Sequence, residues 1–123
     1  SLLTSLSDEG YGLFPLIQDF LASFGGLEGE MPAYRKEDEM EQIHFHPEIA
    51  LEAIYREKVM TYEDRVEEQL VVVGEAYNGH LTLMLSGSGK FFGGYDDYLC
   101  LLGNNVAEGI TALFEQKESK EIL

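Results

Sequence analysis

Residues 70–103 read LVVVGEAYNGHLTLMLSGSGKFFGGYDDYLCLLG. Apolar runs rich in Val, Leu and Phe alternate with short glycine-bearing breaks, the texture of consecutive strands joined by tight turns. Nothing else in the chain restricts the fold as much, because strands this apolar must be covered by other elements. LVVV, HLTLMLS and KFF are predicted as consecutive antiparallel strands. YNG (77–79) and SGSG (86–89) are the turns between them, SGSG supplying the positive-φ freedom that a hairpin needs. YLCLL is a further strand or a short helical turn.

Within this block, SGSGKFFGGYDD (86–97) invites comparison with a phosphate-binding loop. With Gly89-Lys90 as its end, the motif requires a first glycine where Met84 stands and a hydroxyl where Phe91 stands. The first lets backbone wrap the phosphates and the second binds magnesium, so both losses count against a nucleotide. The dinucleotide fingerprint fails as well, since Gly93 follows Gly87 and Gly89 one position too late.

Helical periodicity flanks the strand block. In FPLIQDFLASFGGL (14–27), Phe14, Ile17, Leu21 and Phe24 recur at helical spacing, Pro15 suits a first turn, and Gly25-Gly26 forms a stop. EGEMPAYRKEDEMEQ (28–42) reads as a surface loop or an exposed edge hairpin, with IHF (43–45) a short strand. HPEIALEAIYREKVMTYEDRVEEQ (46–69) is a second helical region with a break near Thr61. NNVAEGITALFEQK (104–117) is the last helix, opened by Asn105 with Glu108 three residues on, a capping-box signature. Residues 117–123 read as a frayed tail. Strands cluster instead of alternating with helices, which predicts an α+β fold with one domain over residues 1–123.

Eight basic residues against 23 acidic ones give a net charge of −15. Nucleic acid and anionic membrane both require a positive footprint, so neither is expected as a partner. A basic protein partner is permitted, with electrostatically steered association. The single cysteine, Cys100, lies in an apolar run and admits no intrachain disulfide, which fits a reducing compartment. It reads as a buried thiol rather than a nucleophile.

Few residues group as catalysts do. His44 and His46 are two apart with no third His or Cys at ligand spacing. They read as the solvent side of a strand whose other side carries Ile43 and Phe45, and no metal or cofactor is expected. Asp96 and Asp97 would diverge on an extended strand, a poor geometry for acid–base work, and no nucleophile elbow is present. The expected protein is therefore not an enzyme. Tyr95-Asp96-Asp97-Tyr98 is the more telling group, placing aromatic contact area beside negative charge as a basic protein surface would require. Glu37, Asp38 and Glu39 form a second acidic concentration.

Several of these positions together resemble a known family. A strand ending in Val73-Gly74, a hydrophobic strand, the glycine turn and aromatic strand of Gly89, Phe91 and Phe92, the step ending at Leu102-Gly103 and the Asn-capped helix resemble the SUKH superfamily, most closely its third immunity-protein family. FLASFGGL (20–27) and IHFHPEIA (43–50) are similar to the family's early helix and following strand–Pro segment. The resemblance covers most of residues 14–116, and a short segment ahead of the first helix reads as truncation at the N-terminus. It implies a single α+β domain with a mixed, mostly antiparallel sheet packed by helices, and a cytoplasmic protein that binds and neutralises a cognate toxin domain, a nuclease or deaminase. The expected contacts are Tyr95, Asp96, Asp97 and Tyr98 first, then Glu37, Asp38 and Glu39. The alternative is a regulatory or scaffold adaptor of the same fold.

Overall fold

A computed structural model of the chain describes residues 6–12, 14–33, 38–115 and 120–123. In chain order the elements are α1 (Pro15–Phe24), β1 (Glu28–Pro32), β2 (Met40–His44), α2 (Pro47–Ala53), α3 (Arg56–Val66), β3 (Leu70–Ala76), β4 (Leu81–Ser86), β5 (Phe91–Tyr95), β6 (Tyr98–Gly103), α4 (Val106–Glu115) and β7 (Lys120–Glu121). The strands form one seven-stranded sheet whose spatial order follows the sequence, β1 to β7. The fold is α+β, as the clustering of strands predicts. Every pairing is antiparallel, where the resemblance implies a mixed, mostly antiparallel sheet. Between β3 and β6 the reason is local: no helix intervenes, and turns this short can join only antiparallel neighbours.

Helices cover both faces of the central strands. Phe91 and Leu85 are paired on one face, where Phe20 of α1 and Gly109 of α4 meet Phe91. Phe20 stacks on Phe24 at 5.1 Å and meets Phe45 edge-on at 5.5 Å, so α1 closes that face with an aromatic cluster. Gly94 and Met84 point to the other face, under the ring of Tyr62 from α3. Burial on both sides explains why all residues of β3 and β4 are buried and why these strands read as continuous apolar runs rather than alternating ones.

Several boundaries differ from those the sequence suggests. The second helical region breaks at Ile54 and Tyr55, not near Thr61. Ile54 is extended (φ −139°, ψ 136°) and packs against the core, and Tyr55 is the N-cap of α3. Thr61 instead donates to the Lys58 carbonyl at 2.6 Å and stays within the helix. Residues 28–32 and 40–44 form the edge hairpin, with Met31 and Ile43 turned into the core. YLCLL is a strand. The tail is not frayed at its end: Lys120 and Glu121 pair with β6, Ile122 donates to the Leu99 carbonyl at 2.7 Å, and Arg65 donates to the Ile122 carbonyl. The capping box is present, with the Glu108 amide on Asn105 Oδ1 at 2.9 Å and the Asn104 amide on Glu108 Oε1 at 3.3 Å.

The β1–β2 hairpin joins the rest of the sheet narrowly. Only His44 and Glu75 are paired between β2 and β3. Their side chains reinforce that pair, His44 Nε2 lying 2.9 Å from Glu75 Oε1. The His46 amide donates to His44 Nδ1 at 3.1 Å, so that nitrogen is bare and the proton sits on Nε2, facing the carboxylate. His44 is thus not on a solvent face as its spacing suggests; it is half-buried against a buried glutamate. His44→Ala would strip that carboxylate of its donor. We expect a loss of about 1–3 kcal/mol of stability in denaturant melts, with amide exchange in residues 28–44 accelerated more than in β4.

Candidate functional site

The meander sends every second hairpin turn to the same end of the sheet. The β1–β2 connection, the β3–β4 turn and the β5–β6 turn therefore share one end. Asp38 and Glu39 lie in the first of these and Tyr95–Tyr98 in the last. Four strand spacings separate them, about 19 Å. Glu37 lies outside the described residues. Asp38 and Glu39 are exposed, and the Glu39 carbonyl accepts the Ala33 amide at 3.0 Å.

Between them, the β3–β4 turn is tied to β2. Gln42 donates its amide to Asn78 Oδ1 at 2.6 Å, the Asn78 amide returns to the Gln42 carbonyl at 3.0 Å, and Asn78 Nδ2 reaches Glu41. These bonds extend the short β2–β3 ladder to the sheet end.

The β5–β6 connection is a two-residue turn of Asp96 and Asp97, with Tyr95 and Tyr98 paired across it. Asp96 has φ +47°, the left-handed region that Asp tolerates better than most residues. Alternation along β5 decides where the side chains go. Gly94 faces α3, so Tyr95 and its partner Tyr98 face the other side of the sheet. Their rings stack with centroids 5.0 Å apart; Tyr95 is exposed and Tyr98 half-buried. Burial, with the neighbouring Cys100, pushes the Tyr98 phenol up to about 12, so it stays neutral at physiological pH.

Asp97 goes the other way. Its carboxylate accepts from Lys58 at 2.8 Å, and its carbonyl accepts from Arg65 at 2.8 Å. The Lys58 bond and charge hold the Asp97 carboxyl below its ordinary value. Tyr62 donates to the Asp96 carbonyl at 2.6 Å. Three side chains of α3 thus grip the turn. The structure brings together the four residues singled out in the sequence, but not as one patch. Two tyrosines lie on one face, Asp96 at the tip, and Asp97 is committed to α3. Sequence reasoning missed the grip of Lys58, Tyr62 and Arg65; their i, i+4, i+7 spacing was the available signal.

Depression of the Asp97 pKa has a fixed sign. The pairing is present above the ordinary aspartate range near 3.9 and is lost as pH falls through the lower folded-state value. A carboxylate titration by NMR should show Asp97 protonating below its ordinary value, and Lys58→Met should return it to the ordinary range.

The described residues contain no group of three His, Cys, Asp or Glu placed to hold a metal ion, and no helix long and apolar enough to cross a membrane. Cys100 is buried. No curated protein and no solved structure gives a significant match to the chain. The family model described as SUKH-3 immunity protein matches residues 1–116. That match spans both helical flanks and the whole glycine-punctuated strand block, and the chain belongs to the SUKH-3 immunity protein family.

Proposed function

We propose that this protein is a non-enzymatic, cytoplasmic antidote that neutralises a cognate toxin by laying the hairpin end of its sheet over the toxin's active site or substrate groove. The toxin class is one that acts on nucleic acid, a nuclease or deaminase. Such a groove must be basic to hold its own substrate, and an acidic chain competes for the same charge. The observation that carries this reading is the β5–β6 turn. It offers a stacked tyrosine pair beside Asp96, on a turn already held by Lys58, Tyr62 and Arg65. A turn fixed before binding loses less entropy on binding, and tyrosine supplies large contact area with few torsions to freeze. Asp38 and Glu39, on the same end, extend the charge toward the other edge.

Calorimetric titration of a catalytically inactive toxin domain encoded beside the gene tests this. Tyr95→Ala and Asp96→Lys should each weaken binding about tenfold or more, and Asp96→Lys should also flatten the salt dependence. Asp96 is the cleaner charge to reverse, because a lysine at Asp97 would be set against Lys58 and Arg65. Affinity unchanged in both variants would remove the turn from the interface.

A further inference from the structure

The three cations of α3 all leave its solvent-facing crest. Arg56 turns to one flank, bonding Glu63 at 3.0 Å and capping the ring of Tyr11. Lys58 and Arg65 turn to the other flank and hold the β5–β6 turn. Val59, Tyr62 and Val66 face the sheet. Opposite them, at i, i+3 and i+7, the crest carries Glu57, Met60 and Asp64, all exposed. Tyr55, at the helix N-cap, is 82% exposed, and Met60 is 50% exposed. The far end of the helix opens into a shallow depression of about 440 Å³ lined by Glu63, Asp64, Glu67, Glu68 and Gln69. Glu63 and Glu68 are already bonded, to Arg56 and to the Ser88 amide, which leaves Asp64 and Glu67 facing the opening.

This crest is unfavourable for the isolated protein. Its acids repel one another without a cation between them, although three cations stand on the same helix. Tyr55 and Met60 gain little from burial where they stand, yet they belong to the residue types that anchor interfaces. Met60 bordered by Glu57, Asp64 and Glu67, with Tyr55 exposed at the head of the helix, matches a basic protein surface with an apolar spot of its own. We infer that the outer face of α3, from Tyr55 through Met60 to the Asp64–Glu67 depression, is a second docking face for the basic partner, on the opposite side of the sheet from the tyrosine pair. This inference rests on the proposed reading that the partner is the cognate toxin; the depression receives one of its lysine or arginine side chains.

Binding of the inactive toxin domain to the full chain is measured for wild type, Tyr55→Ala/Met60→Ala, and Glu57→Lys/Asp64→Lys. All four substituted positions are exposed, and circular dichroism checks the fold; Asp64→Asn replaces the charge-reversed pair if that pair fails to fold. The expected result is about tenfold weaker binding for each double variant, with a flatter salt dependence for the charge reversal. Wild-type affinity in both double variants overturns the inference while leaving the turn reading intact. Loss of binding in these variants alone, with Tyr95→Ala and Asp96→Lys unchanged, upholds the helix face and removes the turn. A wild-type chain that does not bind the toxin at all overturns the functional reading, and this inference falls with it.

Discussion

Gly74→Ala should be among the most damaging single-methyl additions to this chain. A β-carbon at Gly74 would lie 2.0 Å from the carbonyl oxygen of His44 and 3.0 Å from the Phe45 α-carbon. Both obstacles are backbone, so no side chain can rotate away. The pairing register of β3 and β4 shifts between Val72 and Gly74, and this irregularity sits where β2 makes its one pairing with β3. To accept the methyl, the chain must separate the β1–β2 hairpin from the sheet, exposing the Phe45 side of the aromatic cluster. A loss of about 3 kcal/mol or more is expected, seen as a fall in Tm of roughly 10 °C or more. Gly29→Ala is the control. It lies on the edge strand with open space around it and should shift Tm little. A Gly74→Ala protein that melts with the wild type would show that β2 does not approach β3 this closely.

The second large effect belongs to Tyr62. Its side chain is fully buried, its ring lies where a β-carbon at Gly94 would be, and its hydroxyl holds the Asp96 carbonyl. Tyr62→Ala empties an aromatic-sized volume under a glycine that cannot fill it. We expect a cost of about 3–5 kcal/mol, read by denaturant unfolding. Tyr62→Phe keeps the packing and removes only the hydroxyl. It should cost about 1 kcal/mol and loosen the turn more than the fold, with toxin binding weakened while Tm falls by only about 3 °C. A Phe variant with unaltered affinity would mean that turn fixation does not matter to binding. Tyr62 also sets an alkaline limit. Burial first, then the Asp96 charge, push its phenol up to about 12. A group with a raised folded-state pKa contributes stability that is complete below its unfolded value near 10 and disappears as pH rises through the folded value. Stability should therefore fall between about pH 10 and about pH 12, and the fall should be smaller in Tyr62→Phe.

The sheet was legible because β3, β4, β5 and β6 are neighbours in sequence, so apolar runs and turn residues carry the pairing directly. Legibility ended where partners are distant. His44 and His46 looked like the polar half of an alternating strand, since nothing near them announces Glu75, 31 residues away from His44. The helix break was misplaced because Ile54 looks as helical as its neighbours, and only its contact with the core explains its extended backbone. The tail was misread for the same reason: two strand residues mean nothing until β6 and Arg65 are in view. At the candidate site, residue types were readable but directions were not. Tyr95, Asp96, Asp97 and Tyr98 form a single acidic–aromatic word in the sequence. The pleat and the cations of α3 divide them between two faces.

A sheet whose spatial order is its sequence order also affects how quickly the protein becomes usable. From β3 to β6 each strand finds its partner across a short turn, so the loop-closure cost of those three pairings is small; β2 and β7 join across longer, helix-bearing connections. Such low contact order places a domain toward the faster end of folding for its strand content. Under the proposed reading, an antidote must be present in native form before its target acts. The meander achieves this through connectivity, without demanding unusual stability from any one contact.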